Sequence, residues 1–202
     1  MSHIIGITGG VGAGKSTILN LLQNEYQAYL IIADDVTKRL YNPGESAYSV
    51  LRTIFGDSIL LPETGEIDRK KMAEIIFSNQ ALLEMVNDCV HPLTIAAISS
   101  EIQKASLTND YIVVEAALLT KGALDAWCDE IWYVYVPEEE RIRRLQENRG
   151  YTREKCESIM ASQATDEQYR EFSQYVIDNS RTKEEVAELV RERILEISHR
   201  GS

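Results

Sequence analysis

The stretch GITGGVGAGKST, residues 6–17, decides how the rest of the chain is read. Five of its twelve residues are glycine, and it closes on a lysine and two hydroxyl residues. It follows the apolar pair Ile4-Ile5 and leads into a helical pattern with Ile18, Leu21 and Leu22 on one face. Within it, Gly9-Gly10-Val11-Gly12-Ala13-Gly14-Lys15-Ser16 matches G-x-x-x-x-G-K-[ST], the phosphate-binding loop set between a strand and a helix. Glycine lets a backbone come close to an anion. Successive N–H groups then face one concavity, and the N-terminus of the following helix adds its positive end. Lys15 is placed to reach the β- and γ-phosphates of the nucleotide, and the Ser16 hydroxyl to ligate Mg²⁺. The alternative, a chance glycine-rich turn, gives no reason for a strand before it and a helix after it. Gly9 to Thr17 therefore reads as a nucleoside-triphosphate cradle.

Outward from this loop, residues 29–32, 111–117, 131–136 and 175–178 read as further buried strands after the one at 4–8. Continuous apolar runs without alternation suit strands covered on both faces, as in a parallel sheet. Helical patterns lie between them, and Val186, Leu189, Val190, Ile194 and Ile197 draw one stripe on a last helix. This is an α/β pattern with helices on both sides of the sheet. Residues ~42–110 and ~137–173 break the alternation with helical or loop patterns alone, where such folds carry ligand-binding additions.

The chain has 202 residues, 44% of them hydrophobic, as expected of one domain with inserted subdomains. A formal net charge of −11 argues against a nucleic-acid partner, which needs a basic face. No run approaches the ~18 apolar residues of a membrane span. No basic-then-apolar leader opens the chain, so no membrane partner and a cytoplasmic location are expected. Cys89, Cys128 and Cys156 are far apart and show no metal or disulfide spacing, so each reads as a buried or half-buried thiol.

A phosphate loop alone does not say what happens to the phosphate. A guanine-reading N-K-x-D is excluded, because the chain contains no Asn-Lys pair. A small-molecule kinase remains, which needs an acceptor site, a base and a cationic cover. Asp34 and Asp35 follow the second strand. Asp34 can take a proton from an acceptor hydroxyl, or cap the helix beginning near Val36; Asp35 reads as the cap. Glu115, ending the third strand, can orient Mg²⁺ or its waters, or form a strand-end salt bridge. Arginines 141, 143, 144, 149 and 153 follow the fourth strand. Pairs such as Glu140–Arg144 suit a solvated helix face, while a lid over the γ-phosphate needs the same cations.

Taken as an ordered set, these features resemble the dephospho-coenzyme A kinase family. The likeness runs from Ile4 to about Val190. It includes the loop, Ala33-Asp34, Asn42-Pro43-Gly44, Phe55-Gly56, GEIDRKKM at 65–72, His91-Pro92, Leu118-Leu119, Gln163 and VIDN at 176–179. The resemblance implies transfer of the γ-phosphoryl of ATP to the 3′-hydroxyl of dephospho-CoA. It also implies a three-layer P-loop kinase fold: a parallel five-stranded sheet core (1–41, 111–136 and 174–202), a helical substrate-binding insertion (42–110) and a helical lid (137–173). Asp34 becomes the base by the same likeness, and Arg144 and Arg149 the lid cations. Asp68, Arg69, His91 and Leu118 face the acceptor; on its residues alone, His91 reads as an N-terminal or core histidine held by Pro92. The family pattern departs here at Ile32, where an acid is usual, and at Asn148 and Ile159, where lid arginines are usual. Other readings of the same core are a nucleoside or small-alcohol kinase and a non-catalytic nucleotide-binding regulator. Nothing in the sequence gives the oligomeric state.

Overall fold

The computed structural model describes residues 2–116 and 121–200. Five strands form one parallel sheet in the order β2-β3-β1-β4-β5. They are β1 (His3–Thr8), β2 (Tyr29–Ile32), β3 (Tyr111–Glu115), β4 (Glu130–Tyr135) and β5 (Tyr175–Asp178). The central strands are the most apolar, and Ile5, Ile7, Ile112, Val113, Val114, Ile131 and Trp132 are buried. Edge strands β2 and β5 keep exposed or half-buried positions. That gradient follows from covering only the sheet centre on both faces.

The chain divides into two compact units, Met1–Leu30 with Ala105–Ser202 and Ile31–Lys104. In the first, α1 (Lys15–Tyr26) follows β1, and α6 (Lys121–Trp127) precedes β4. The helices α7 (Glu138–Arg149), α8 (Arg153–Ala161) and α9 (Asp166–Phe172) lie between β4 and β5, and α10 (Lys183–Arg200) ends the chain. The expected lid segment thus belongs to the unit that carries the glycine loop.

The second unit holds α2 (Ala33–Leu40), α3 (Ser46–Phe55), a 3₁₀ turn, α4 (Arg69–Phe77) and most of α5 (Gln80–Ala105). Its core gathers Leu40, Ala47, Leu51, Ile59, Ile67, Met72, Ile76, Val86 and Val90. An isolated antiparallel bridge joins Leu60 to Ile67, a pairing that the helix-or-loop reading of 42–110 does not foresee. The expectation of no membrane-length apolar segment also needs correction. By length and composition α5 could cross a membrane, since its mean hydropathy reaches 1.3 over its most apolar window. Polar residues such as Asn87, Asp88 and His91 interrupt the run, so no unbroken stretch betrays it. Here its residues Val86, Val90, Thr94, Ile98 and Ile102, four apart, form a buried stripe.

Strands β2 and β5 fall where the sequence predicts them, and β3 ends earlier, at Glu115. Strand β4 opens one residue early, on Glu130, because that carboxylate is not solvated. It accepts from Trp132 Nε1 and from Arg193 Nε and Nη2 of α10. Both side chains of the pair are under 10% exposed, at 9% for Arg193 and 6% for Glu130. Removing one partner of such a pair leaves a buried charge, so Arg193→Ala is expected to cost about 3–5 kcal/mol, checked by urea unfolding. Cys156 is buried, Cys89 and Cys128 half-buried, and all three thiols are free. Burial, with Asp129 and Asp125 nearby, pushes the Cys128 thiol up to about 12.

Candidate active site

Strand β1 lies between β3 and β4, with register Ile7↔Glu115 and Ile7↔Trp132. The chain leaves β1 towards one side of the sheet and leaves β4 towards the other, and open α/β sheets bind ligands at the carboxyl ends of such strands. The glycine loop begins there. Helix α1 starts at Lys15, and Gly14 at its N-terminus has φ +81°, a left-handed conformation. A β-carbon on Gly14 would also lie 2.4 Å from Asn179 Nδ2, so glycine is required twice over. Asn179 holds this end of the loop: its Nδ2 donates to Ala13 O at 2.7 Å, and its backbone N–H to Tyr135 O at 2.9 Å.

The Lys15 side chain folds back across the loop. Its Nζ donates to Gly9 O at 2.8 Å and lies 3.4 Å from Glu115 Oε1. Both side chains are mostly shielded, with 15% and 12% exposure. Glu115 is thus in a strand-end salt bridge, with the loop lysine as its partner. Ser16 and Thr17 sit exposed in the first turn of α1. A hydroxyl and a carboxylate are hard oxygen donors, and a site needing only one or two from the protein suits Mg²⁺ beside phosphates. The residues present fit that ion.

Helix α7 divides its arginines by direction. With about 100° per residue, Arg141 stands about 70° from the centre of the face of Ile142 and Leu145, whereas Arg143 and Arg144 stand about 130° from it on opposite sides. Arg143 pairs with Glu140 and Glu147 on the exposed side. Arg144 Nη2 donates to Asn179 O at 2.9 Å, and its Nε to Glu140 Oε1 at 3.0 Å. The Arg143 and Arg144 guanidiniums hold the Glu140 carboxyl down at about 2, so Arg144 keeps a charged partner at neutral pH. Arg141 Nε donates to Val11 O inside the loop at 2.8 Å. Arg149, at the far end of α7, is about 12 Å further along the helix axis than Arg141. Its guanidinium is 6.0 Å from the Tyr151 ring. Arg153 is paired with Glu139 and Glu157 at the surface.

In the second unit, α2 begins at Ala33, with Ile32 at its N-cap position and no side-chain cap. Asp34 and Asp35 therefore occupy the first turn, and the expected capping role is wrong for both. Acids here favour the helix dipole without bonding its free N–H groups. Asp35 pairs with Lys38 at 2.7 Å, whereas Asp34 has no ion pair among the described residues. Burial raises the Tyr41 phenol above its ordinary value; Arg69 opposes this and Asp34 adds to it, so each of the two charges acts on Tyr41. Asp68 caps α4, accepting from the Lys71 N–H at 3.0 Å. His91 is exposed in the middle of α5, neither N-terminal nor in the core as its residues alone suggested. Leu118 lies outside the described residues.

Arg141, Gln163 and Asn179 hold the glycine loop, and Tyr41 lies near Asp34 in the second unit; sequence reasoning left all four without roles. Arg141 carried a signal: it stands one residue before Ile142 and four before Leu145, on the edge of the buried face. Gln163 and Asn179 lie in connections, where periodicity says nothing.

The profile of the dephospho-CoA kinase family (CoaE) matches residues 3–185. The chain belongs to this family. A dephospho-CoA kinase of Carboxydothermus hydrogenoformans is 37% identical over 96% of this chain and 92% of its own length. The fold is shared with solved structures. The crystal structure of TT1252 from Thermus thermophilus superposes with a TM-score of 0.81 at 26% identity, covering 96% of this chain and 97% of that one. Dephospho-CoA kinase from Campylobacter jejuni shares the fold with a TM-score of 0.75, at 22% identity and full coverage of both chains.

Proposed function

We propose that this protein transfers the γ-phosphoryl of ATP to the 3′-hydroxyl of dephospho-CoA, completing coenzyme A. The observation that carries the reading is Lys15 Nζ held across the glycine loop by Gly9 O and Glu115, in a chain of the dephospho-CoA kinase family. Lys15 exchanges these partners for phosphate oxygens when the triphosphate binds. Gly9 to Thr17 supply N–H groups to the phosphates. Ser16 and Glu115 are the residues to hold Mg²⁺, which when bound neutralises charge on the β- and γ-oxygens. Arg144 extends the cationic cover from α7.

Asp34 is the base in this reading. The acceptor oxygen bonds to the γ-phosphorus, its proton passes to the Asp34 carboxylate, and the bond to the bridging oxygen breaks to release ADP. A carboxylate without an ion pair among the described residues, and close enough to Tyr41 to act on its phenol, supports that role, because Asp35 is already engaged by Lys38. Arg69 faces the acceptor; Asp68 serves it by starting α4.

The deciding measurement is ADP release with ATP and Mg²⁺ against a panel of dephospho-CoA, adenosine and simple nucleosides. Turnover with dephospho-CoA far above the others is expected. Equal turnover of nucleosides would move the activity to another acceptor, and none with any acceptor would make the protein a nucleotide-binding regulator. Arg144→Ala should lower kcat by on the order of 10²-fold, the cost of one preorganised donor. Arg149→Ala should change it much less, because its guanidinium sits at Tyr151. The reverse order, measured at saturating ATP, would show α7 rearranging on nucleotide binding.

A further inference from the structure

Val11 stands at the tip of the glycine loop, and both of its backbone polar groups are engaged from outside the loop. Its N–H donates to Gln163 Oε1 at 2.9 Å, in the connection between α8 and α9. Its carbonyl accepts from Arg141 Nε at 2.8 Å. Arg141 Nη2 also reaches Gln163 Oε1 at 3.3 Å, which closes a ring of three residues. The Val11 side chain packs against the cluster of Ile142, Leu145 and Cys156. Water could satisfy an exposed loop tip, and trading it for protein partners brings only a modest net gain per bond. Three convergent contacts on one residue therefore control geometry more than stability.

Gly10 shows how closely the arginine lies. A β-carbon there would stand 2.2 Å from Arg141 Nη2, 2.6 Å from Cζ and 3.0 Å from Nη1. Its own φ is not in the left-handed region, unlike those of Gly9, Gly12 and Gly14. The nearest obstacle to a side chain at residue 10 is thus the guanidinium.

We propose that Arg141 and Gln163 are positioning residues for phosphoryl transfer: from α7 and from the connection between α8 and α9 they grip the backbone of Val11 and set the shape of the loop that receives the triphosphate. The proposal rests on the ATP-binding reading of that loop. A misplacement of ~1 Å in groups that orient a reaction can cost on the order of 10²-fold. Both side chains act through the Val11 backbone, so they work as one device.

The test uses the full chain with Arg141→Ala, Gln163→Ala and Gly10→Ala, singly and in pairs, beside Lys15→Ala. Each of the three single variants should lower kcat/KM for ATP by about 10–100-fold, while KM for dephospho-CoA stays within about threefold. The Arg141→Ala/Gln163→Ala pair should lose little more than the worse single, because groups sharing one partner are not additive. Gly10→Ala should expel the guanidinium and reproduce Arg141→Ala, and the two together should equal either alone. Arg141→Lys should not rescue, since an ammonium lacks the planar fork that reaches two acceptors. Calorimetric ADP affinity and thermal midpoints accompany the kinetics, and Gly10→Ala carries the test if Arg141→Ala does not fold. Silent single variants, multiplying losses in either pair, or rescue by lysine would overturn the clamp. If Lys15→Ala is also silent, the ATP site itself is misassigned; if only Lys15→Ala is inactive, the clamp alone falls.

Discussion

Lys15→Ala is expected to lower kcat by on the order of 10²–10³ or more, the loss seen when one preorganised charge donor is removed. The fold should survive. Among the described residues the Lys15 ammonium contacts Gly9 O and Glu115, so alanine leaves one partly shielded carboxylate without this cation. A small drop in thermal midpoint with an inactive enzyme is the expected pair of results. Bound ATP should stabilise the wild type more than the variant, because a ligand raises stability only through its affinity for the folded state. Activity within about threefold of wild type would remove the phosphate-loop assignment, since no donor of that kind is dispensable.

Asp34→Asn is expected to lower kcat by roughly 10²–10⁴ while leaving ATP affinity little changed. The amide keeps the shape of the carboxylate and cannot take the acceptor proton. Asp35→Asn is the internal control. It breaks an exposed pair with Lys38 that is worth about 0–1 kcal/mol, and should leave kcat near that of wild type. Equal losses from the two would end the division of labour between them. A raised KM for dephospho-CoA with unchanged kcat would instead make Asp34 a binding residue, because that pattern marks uniform binding.

The glycine loop, the strand before it and the helix after it were all legible in the sequence, because each rests on local chemistry. Close approach to an anion calls for glycine, and strand and helix have distinct apolar periods. The same logic located β2 and β5 and the stripe on α10. It failed at the start of β4, where a charged residue opens a buried strand, because only Arg193, 63 positions away, makes that burial tolerable. It failed again at α2, whose first turn takes in both aspartates where a cap was expected. The length and hydropathy of α5 were hidden by polar interruptions, although its four-residue stripe is regular.

By itself, then, the sequence determined the phosphate loop, the α/β alternation and the acid that ends β3. These follow from residue types at short spacing, which the backbone reads without help from distant partners. Only the tertiary structure decided which arginine does what. Arg141, Arg143, Arg144 and Arg149 share one short helix and one composition. Their directions on it, and what stands opposite each, separate a loop clamp, a solvated pair, a contact to Asn179 and a cation beside Tyr151. It likewise paired Glu115 with Lys15 across 100 residues of chain, and brought Gln163 and Asn179 onto the loop from connections that carry no periodic signal. The physical reason is one of range: helix, strand and turn preferences act within a few residues, whereas the partner of a buried polar group is set by where the whole chain packs.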